Sequence, residues 1–267
     1  MLNLENASYR YPGARGNTLH GISLELAEGT VTGLAGADEA GKSTLCLLAS
    51  GLAPRVVGGE LTGELRLDGA DVTGWPMYRL AEHVVTGLQD PAGQLSLIAE
   101  TVLEEVAFGP ANLGLPRDEV IERAHEALGL VGIDGLRDRD PGRLSGGQQQ
   151  LVVLAGLLAM RPRHLILDEP VAHLDARSAR LVLEAVASIA ASGTAVLIAE
   201  QRTEALAAVC DSLAVVAGGN LVAQGPVQEV LADPTTLAFG IEGLPHERLR
   251  GMLAEAGLDP ALAEEAS

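Results

Sequence analysis

The stretch Gly36-Ala37-Asp38-Glu39-Ala40-Gly41-Lys42-Ser43 has the spacing G-x-x-x-x-G-K-[ST] of a phosphate-binding loop. In such a loop backbone N–H groups wrap phosphate oxygens, the lysine ammonium reaches the β and γ oxygens, and the serine hydroxyl ligates magnesium. Thr44, next in the chain, is counted with the loop. Lys42 is the only lysine in the whole chain. A compact ammonium suits a ring of amides better than the planar arginine fork, so chemistry explains why lysine was kept at this one place. Asp38 and Glu39 are the irregularity, since two carboxylates beside a bound triphosphate oppose the anion unless they point outward.

A second cluster is Leu165-Ile166-Leu167-Asp168-Glu169-Pro170, an apolar strand ending in two acids. Alone, Asp168-Glu169 reads better as the mere start of a turn. Paired with the upstream loop, Asp168 falls at the carboxyl edge where it can hold the magnesium shell, and Glu169 becomes the general base that polarises the attacking water. The third is Leu144-Ser145-Gly146-Gly147-Gln148, ahead of the apolar helical run Leu151 to Met160. Ser145 and the glycine amides then form the positive end of a helix, a second place for an anion.

The elements that must position these groups follow from periodicity. Leu19 to Ala35 reads as two alternating strands around the turn Glu28-Gly29, the second leading through the loop into a helix at Lys42. A short polar hairpin is expected over Gly63 to Gly69, a helix near Met77 to Glu82, and a strand Val84 to Leu88 that Pro91 stops, leaving Gln89 at its carboxyl edge. From about residue 95 to 150 the spacing turns helical, with loops around Gly109-Pro110 and Asp138 to Gly142, which predicts an inserted helical subdomain. The α/β pattern resumes with strand His164 to Leu167, helix Ala176 to Ala191, strand Ala195 to Ala199, helix Thr203 to Val209 and an antiparallel pair around Gly218-Gly219. These observations predict an ATP-binding domain over residues 1–232 and a short, acidic, helical C-terminal extension over 233–267, either a dimerisation element or simple packing.

Composition sets limits. With 267 residues, 47% of them hydrophobic, the chain suffices for one large α/β domain with a modest appendage. A formal net charge of -18 argues against a nucleic-acid partner and against direct attraction to anionic lipid. No long apolar run escapes a charge or a glycine-proline break, and the start MLNLENASYRYPG lacks a basic region and an apolar core. The expectation is a cytoplasmic chain that meets a membrane only through a partner. Cys46 and Cys210 lie in apolar helical contexts and read as buried thiols.

With LSGGQ joined to the phosphate loop and LILDEP, the chain resembles the ATP-binding-cassette ATPases from about Ala7 to Leu231. The resemblance implies a P-loop cassette of the α/β class, with a mixed-sheet core, an N-terminal antiparallel β subdomain and an inserted helical subdomain, using ATP and Mg2+. It also implies that two cassettes pack head to tail, so that Ser145, Gly146, Gly147 and Gln148 serve the nucleotide of a second ATPase subunit, identical or not. Tyr11 resembles the aromatic that stacks on adenine, with a plain core tyrosine as the other reading. Gln89 resembles the glutamine that contacts magnesium and senses the membrane partner, and Ala172-His173-Leu174-Asp175 the loop that crosses the dimer interface through its aspartate. His173 falls where the family varies and is given no catalytic role. In Ala199-Glu200-Gln201-Arg202, Gln201 stands where the family usually has a histidine at the γ-phosphate. Glutamine donates a hydrogen bond but cannot relay a proton, which predicts slower hydrolysis or, alternatively, a hydrolysis-impaired regulatory partner of a second cassette. The stretches Gln89 to Gln94 and Thr101 to Leu115 resemble the energy-coupling-factor branch, which powers uptake of vitamins, cobalt or nickel. That branch implies an integral membrane coupling subunit, a substrate-binding membrane subunit, and a peripheral position at the cytoplasmic face.

Overall fold

A computed structural model describes residues 1–172, 174–239 and 241. Two sheets organise the fold. Strands β1 (Leu2–Arg10), β2 (Leu19–Leu26), β4 (Glu60–Leu67) and β5 (Ala70–Asp71) form an antiparallel sheet in the order β2-β1-β4-β5. Strands β3 (Val31–Ala35), β6 (Val84–Gly87), β7 (His164–Asp168), β8 (Ala195–Ala199), β9 (Ser212–Ala217) and β10 (Asn220–Pro226) form a mixed sheet in the order β10-β9-β3-β8-β7-β6. All its pairings are parallel except that of β9 with β10.

The central strands β3, β7 and β8 are buried at every position rather than alternating, because layers cover both faces of this sheet. The side-chain period of two divides their residues between two cores. Leu165, Leu167, Val196 and Ile198 face one core with the helices α6 (Gly146–Ala159), α7 (Ala176–Ala191), α8 (Thr203–Val209) and α9 (Val227–Ala232). Ile166, Leu197 and Ala199 face the other, with helix α1 (Lys42–Ala49) and the antiparallel sheet. The phosphate-loop helix is thus wedged between the two sheets. Three short helices complete the framework: α2 (Leu52–Arg55), α3 (Met77–Leu80) and α10 (Pro234–Leu237).

The inserted subdomain is built from α4 (Val102–Asn112) and α5 (Arg117–Leu130) packed on α6. Its first helix opens on a capping box in which Thr101 and Glu104 satisfy each other's backbone N–H groups. The loop expected at Gly109-Pro110 is absent, and the helix runs through both residues to Asn112. Pro110 lies in the last turn and removes only one helical donor. Gly109 is small for a packing reason, since a Cβ there would lie 3.0 Å from Met160 on the neighbouring helix end. The expected hairpin at Gly63 to Gly69 also differs. Its turn is confined to Asp68-Gly69, whereas Gly63 sits inside β4 at φ 87, where the pairing with β1 shifts register and a Cβ would meet the Asn6 carbonyl oxygen.

The expected thiols Cys46 and Cys210 are buried and free. Beyond residue 232, α10 is capped by Asp233, and Ile241 joins the helical core. The rest of the expected C-terminal extension, and His173, lie outside the described residues. Among those described, no helix is long and apolar enough to cross a membrane.

Candidate active site

Strand β3 delivers the chain into Gly36, whose φ of 157 and whose close approach to β9 exclude a side chain, since a Cβ would lie 2.3 Å from the Val216 carbonyl oxygen. After the loop, α1 begins at Lys42 without a side-chain cap and without an acid in its first turn. Its first N–H groups are therefore free for an anion, with the helix dipole in support. Lys42 is 5% exposed, and its ammonium donates to the carbonyls of Gly36 at 2.8 Å and Ala37 at 2.9 Å. The only lysine thus lies inside the curl of the loop.

Two of the three expected magnesium ligands, Ser43 and Asp168, meet beside it, whereas the Gln89 amide is turned to Glu169. Asp168 ends β7 and is 5% exposed, yet its Oδ1 has no hydrogen-bond partner. An orphaned buried carboxylate oxygen calls for an explanation, and a cation is one. Burial raises the pKa of Asp168 from its ordinary value, while the neighbouring Ser43 hydroxyl and, more weakly, Lys42 act the other way. Ser43 and Asp168 have the oxygen chemistry that Mg2+ takes, so these residues fit the ion.

Glu169 follows in the left-handed region, at φ 52, a conformation disfavoured for a non-glycine residue and kept only where surroundings over-determine it. Its N–H donates to the Ala199 carbonyl at 2.9 Å, which pins the turn to the end of β8. Its carboxylate is clamped from both sides: Gln89 Nε2 donates to Oε2 at 2.9 Å and Gln201 Nε2 to Oε1 at 3.0 Å. The same Gln201 nitrogen donates to Asp38 Oδ1 at 2.7 Å. Four residues singled out in the sequence therefore form one chain, from the phosphate loop through Gln201 and Glu169 to Gln89. Asp38 and Glu39 are exposed, but Asp38 does not point outward: it is turned to Gln201, at the site.

The glutamine loop is braced by Gln94, which accepts from Leu88 N at 2.7 Å and donates to the Thr86 carbonyl at 3.1 Å. Across a cleft of about 240 Å3, Gln149, Gln150 and Gly146 of the LSGGQ helix face Glu169, Pro170 and Asp90. Ser145 caps that helix reciprocally with Gln148, leaving Ser145 and Gly146 exposed at its positive end. Tyr11 is half-buried, its hydroxyl 3.0 Å from Thr44 Oγ1 and its ring edge-on to Tyr9. The fully buried core tyrosine is Tyr9, which donates to the Gly58 carbonyl. Asp175 is drawn into no contact with these groups and instead caps α7 through Arg177 N and Ser178 N.

One buried carboxyl beside the site was not singled out in the sequence. Glu200, 1% exposed, accepts from Val171 N at 2.9 Å, and burial pushes its pKa up to about 7. The signal was a charged residue directly after a wholly apolar strand, next to a site residue.

The arrangement is matched among known proteins. Residues 19–172 fit the family model described as ABC transporter. The chain is 35% identical over 235 residues to the energy-coupling factor transporter ATP-binding protein EcfA of Methanothermobacter thermautotrophicus, covering 87% of this chain and 73% of that protein. It is 38% identical over 245 residues to the cobalt import ATP-binding protein CbiO of Rhodobacter capsulatus, covering 90% and 84%. Other relatives are longer, and the chain spans 39% of the length of two curated relatives it matches. Among solved structures, cbiO1 of Clostridium perfringens, part of the ABC transporter complex cbiONQ, superposes with a TM-score of 0.77 at 29% identity, covering 96% of both chains. The phosphate loop, the acidic strand end and the LSGGQ helix thus stand in a fold shared with transport ATPases, and the chain belongs to the ABC transporter family as one of its ATP-binding cassettes.

Proposed function

We propose that the chain is the ATP-hydrolysing subunit of an energy-coupling-factor importer, powering uptake of a micronutrient such as a vitamin, cobalt or nickel. The observation that carries the hydrolytic part is the Glu169 carboxylate, held between Gln89 and Gln201 beside the orphaned oxygen of Asp168. In this reading Lys42 and the amides of residues 36–43 bind the triphosphate of ATP, and Tyr11 stacks on the adenine. Ser43, Gln89 and Asp168 would hold Mg2+, whose chemistry there is to neutralise charge on the phosphate oxygens. Glu169 orients the attacking water and accepts its proton, and Gln201 turns from Asp38 to the γ-phosphate. Ser145 to Gln148 and Asp175 serve the facing cassette of a homo- or heterodimer.

A membrane coupling subunit is supported by the segment after Gln89. Leu97 and Ile98 are 75% and 73% exposed, and Glu105 holds their loop outward by accepting from both the N–H and the hydroxyl of Ser96. Large exposed apolar side chains presented by a braced loop mark a contact surface. The chain would then sit at the cytoplasmic membrane face through that subunit, while a separate membrane subunit binds the substrate. The test is co-purification from detergent extracts. The tagged chain should bring down an integral membrane subunit, and the Leu97→Asp, Ile98→Asp variant should lose it; wild-type chain emerging alone contradicts the reading.

A second reading, a hydrolysis-impaired regulatory partner of another cassette, is favoured by one observation: both protons of the Gln201 amide are spent, on Asp38 and on Glu169. Single-turnover hydrolysis by the isolated chain against a mixed heterodimer separates the two.

A further inference from the structure

Glu200 is given no role by the motifs named above, although it precedes Gln201, and it is buried at the meeting point of three elements that carry the site. Its backbone N–H donates to the Leu34 carbonyl, two residues before Gly36. The residue before it, Ala199, accepts from Glu169 N at 2.9 Å, and the residue after it, Gln201, bridges Asp38 and Glu169. Its own carboxylate reaches under the turn that follows Glu169 and accepts from the N–H of Val171, a residue with 0% exposure. That N–H has no route to water, so the Glu200 oxygen is its satisfaction.

From this placement we infer that Glu200 is a positioning residue for the hydrolytic step, a strut that holds the Glu169–Val171 turn against β8 and keeps Glu169 in its left-handed conformation. The inference rests on the reading of Glu169 as the general base. Glu169 at φ 52 relaxes toward ordinary backbone unless its neighbours hold it. Besides the clamp on its carboxylate, three bonds hold the backbone of its turn: Glu169 N to Ala199, the turn bond from Ala172 N to the Glu169 carbonyl at 3.3 Å, and the Glu200–Val171 bond. Only the last is made by a side chain and can be removed by substitution.

The role requires an acceptor oxygen at the reach of a glutamate, not a charge. Burial raises the pKa of this carboxyl to about 7, so part of the population is neutral near pH 7 and glutamine is a close stand-in. Aspartate keeps the charge but is one methylene short.

The test compares Glu200→Ala, Glu200→Asp and Glu200→Gln by MgATP binding, single-turnover hydrolysis and hydrogen–deuterium exchange of the peptide spanning Asp168 to Ala176. Glu200→Ala and Glu200→Asp should lose about tenfold or more in hydrolysis rate while MgATP affinity stays within about threefold, because misplacing Glu169 affects the chemical step rather than the phosphate loop. Glu200→Gln should keep the rate within about threefold of wild type. Exchange in the peptide should accelerate in the first two variants and not in the third. Full activity of Glu200→Ala, or a Glu200→Gln variant as damaged or as unfolded as Glu200→Ala, overturns the inference. A wild-type chain without MgATP hydrolysis refutes the proposed function instead. The exchange arm then decides on the strut, and unchanged exchange in Glu200→Ala sinks it.

Discussion

Replacing Asp38 with asparagine probes the least expected contact of the site. Gln201 Nε2 carries two protons, one directed at Asp38 Oδ1 at 2.7 Å and the other at Glu169 Oε1 at 3.0 Å. For Gln201 to meet the γ-phosphate, the Asp38 bond must break. A charge-assisted bond is worth about 1.5–3 kcal/mol in a protected setting, but both groups here are exposed and solvent screening reduces that to about 1 kcal/mol. A neutral acceptor is roughly half as strong, and removing the carboxylate also removes an anion from beside the triphosphate. At about 1.36 kcal/mol per tenfold, Asp38→Asn should raise single-turnover hydrolysis by a factor of about two to five and tighten MgATP binding by a similar factor. The assay is phosphate release with protein in excess over ATP, with affinity measured separately. A variant with unchanged or slower hydrolysis and unchanged affinity refutes the reasoning. A cycle with Gln201→Ala sharpens the result, since the gain should vanish once Gln201 is absent.

Gln201→His should hydrolyse faster than wild type, because imidazole both donates to phosphate and titrates near neutral pH; equal rates in a purified dimer count against the idea. Stability should respond to pH through two buried groups with opposite signs. Burial raises Glu200 from its ordinary 4.5 to about 7, so the stability it contributes is whole below pH 4.5 and is lost as pH rises through about 7. Burial lowers His164, whose ring nitrogens both lack partners, from 6.5 to about 4, so its contribution is present above pH 6.5 and is lost as pH falls toward 4. Each is worth at most about 3 kcal/mol. Denaturant midpoints between pH 4 and 8 should show Glu200→Gln removing a fall in stability between about pH 4.5 and 7, and His164→Leu removing an opposing rise between about pH 4 and 6.5; identical profiles for all three proteins contradict the assignment.

Much of the site is legible in the sequence because its signals are local. A loop of fixed spacing, an apolar strand ending in Asp168-Glu169, and Ser145 ahead of an apolar helix each carry their chemistry within a few residues. What was not legible depends on distance along the chain. Asp38 and Gln201 are 163 residues apart, and nothing near either announces the other. The Glu200–Val171 bond likewise joins two strand ends that only the order of β7 and β8 brings together. Two local signals misled for tertiary reasons: Gly109-Pro110 resembles a loop but serves close packing at Met160, and Gly63 resembles a turn but marks a register shift against β1.

The central claim, that Glu169 acts on water while the phosphate loop binds, is tested most directly by Glu169→Gln. Glutamine keeps the size of the side chain and loses the base. The account predicts MgATP affinity close to wild type and a loss of about a hundredfold or more in single-turnover phosphate release. Hydrolysis that survives the substitution, or binding that falls with it in proportion, contradicts the account.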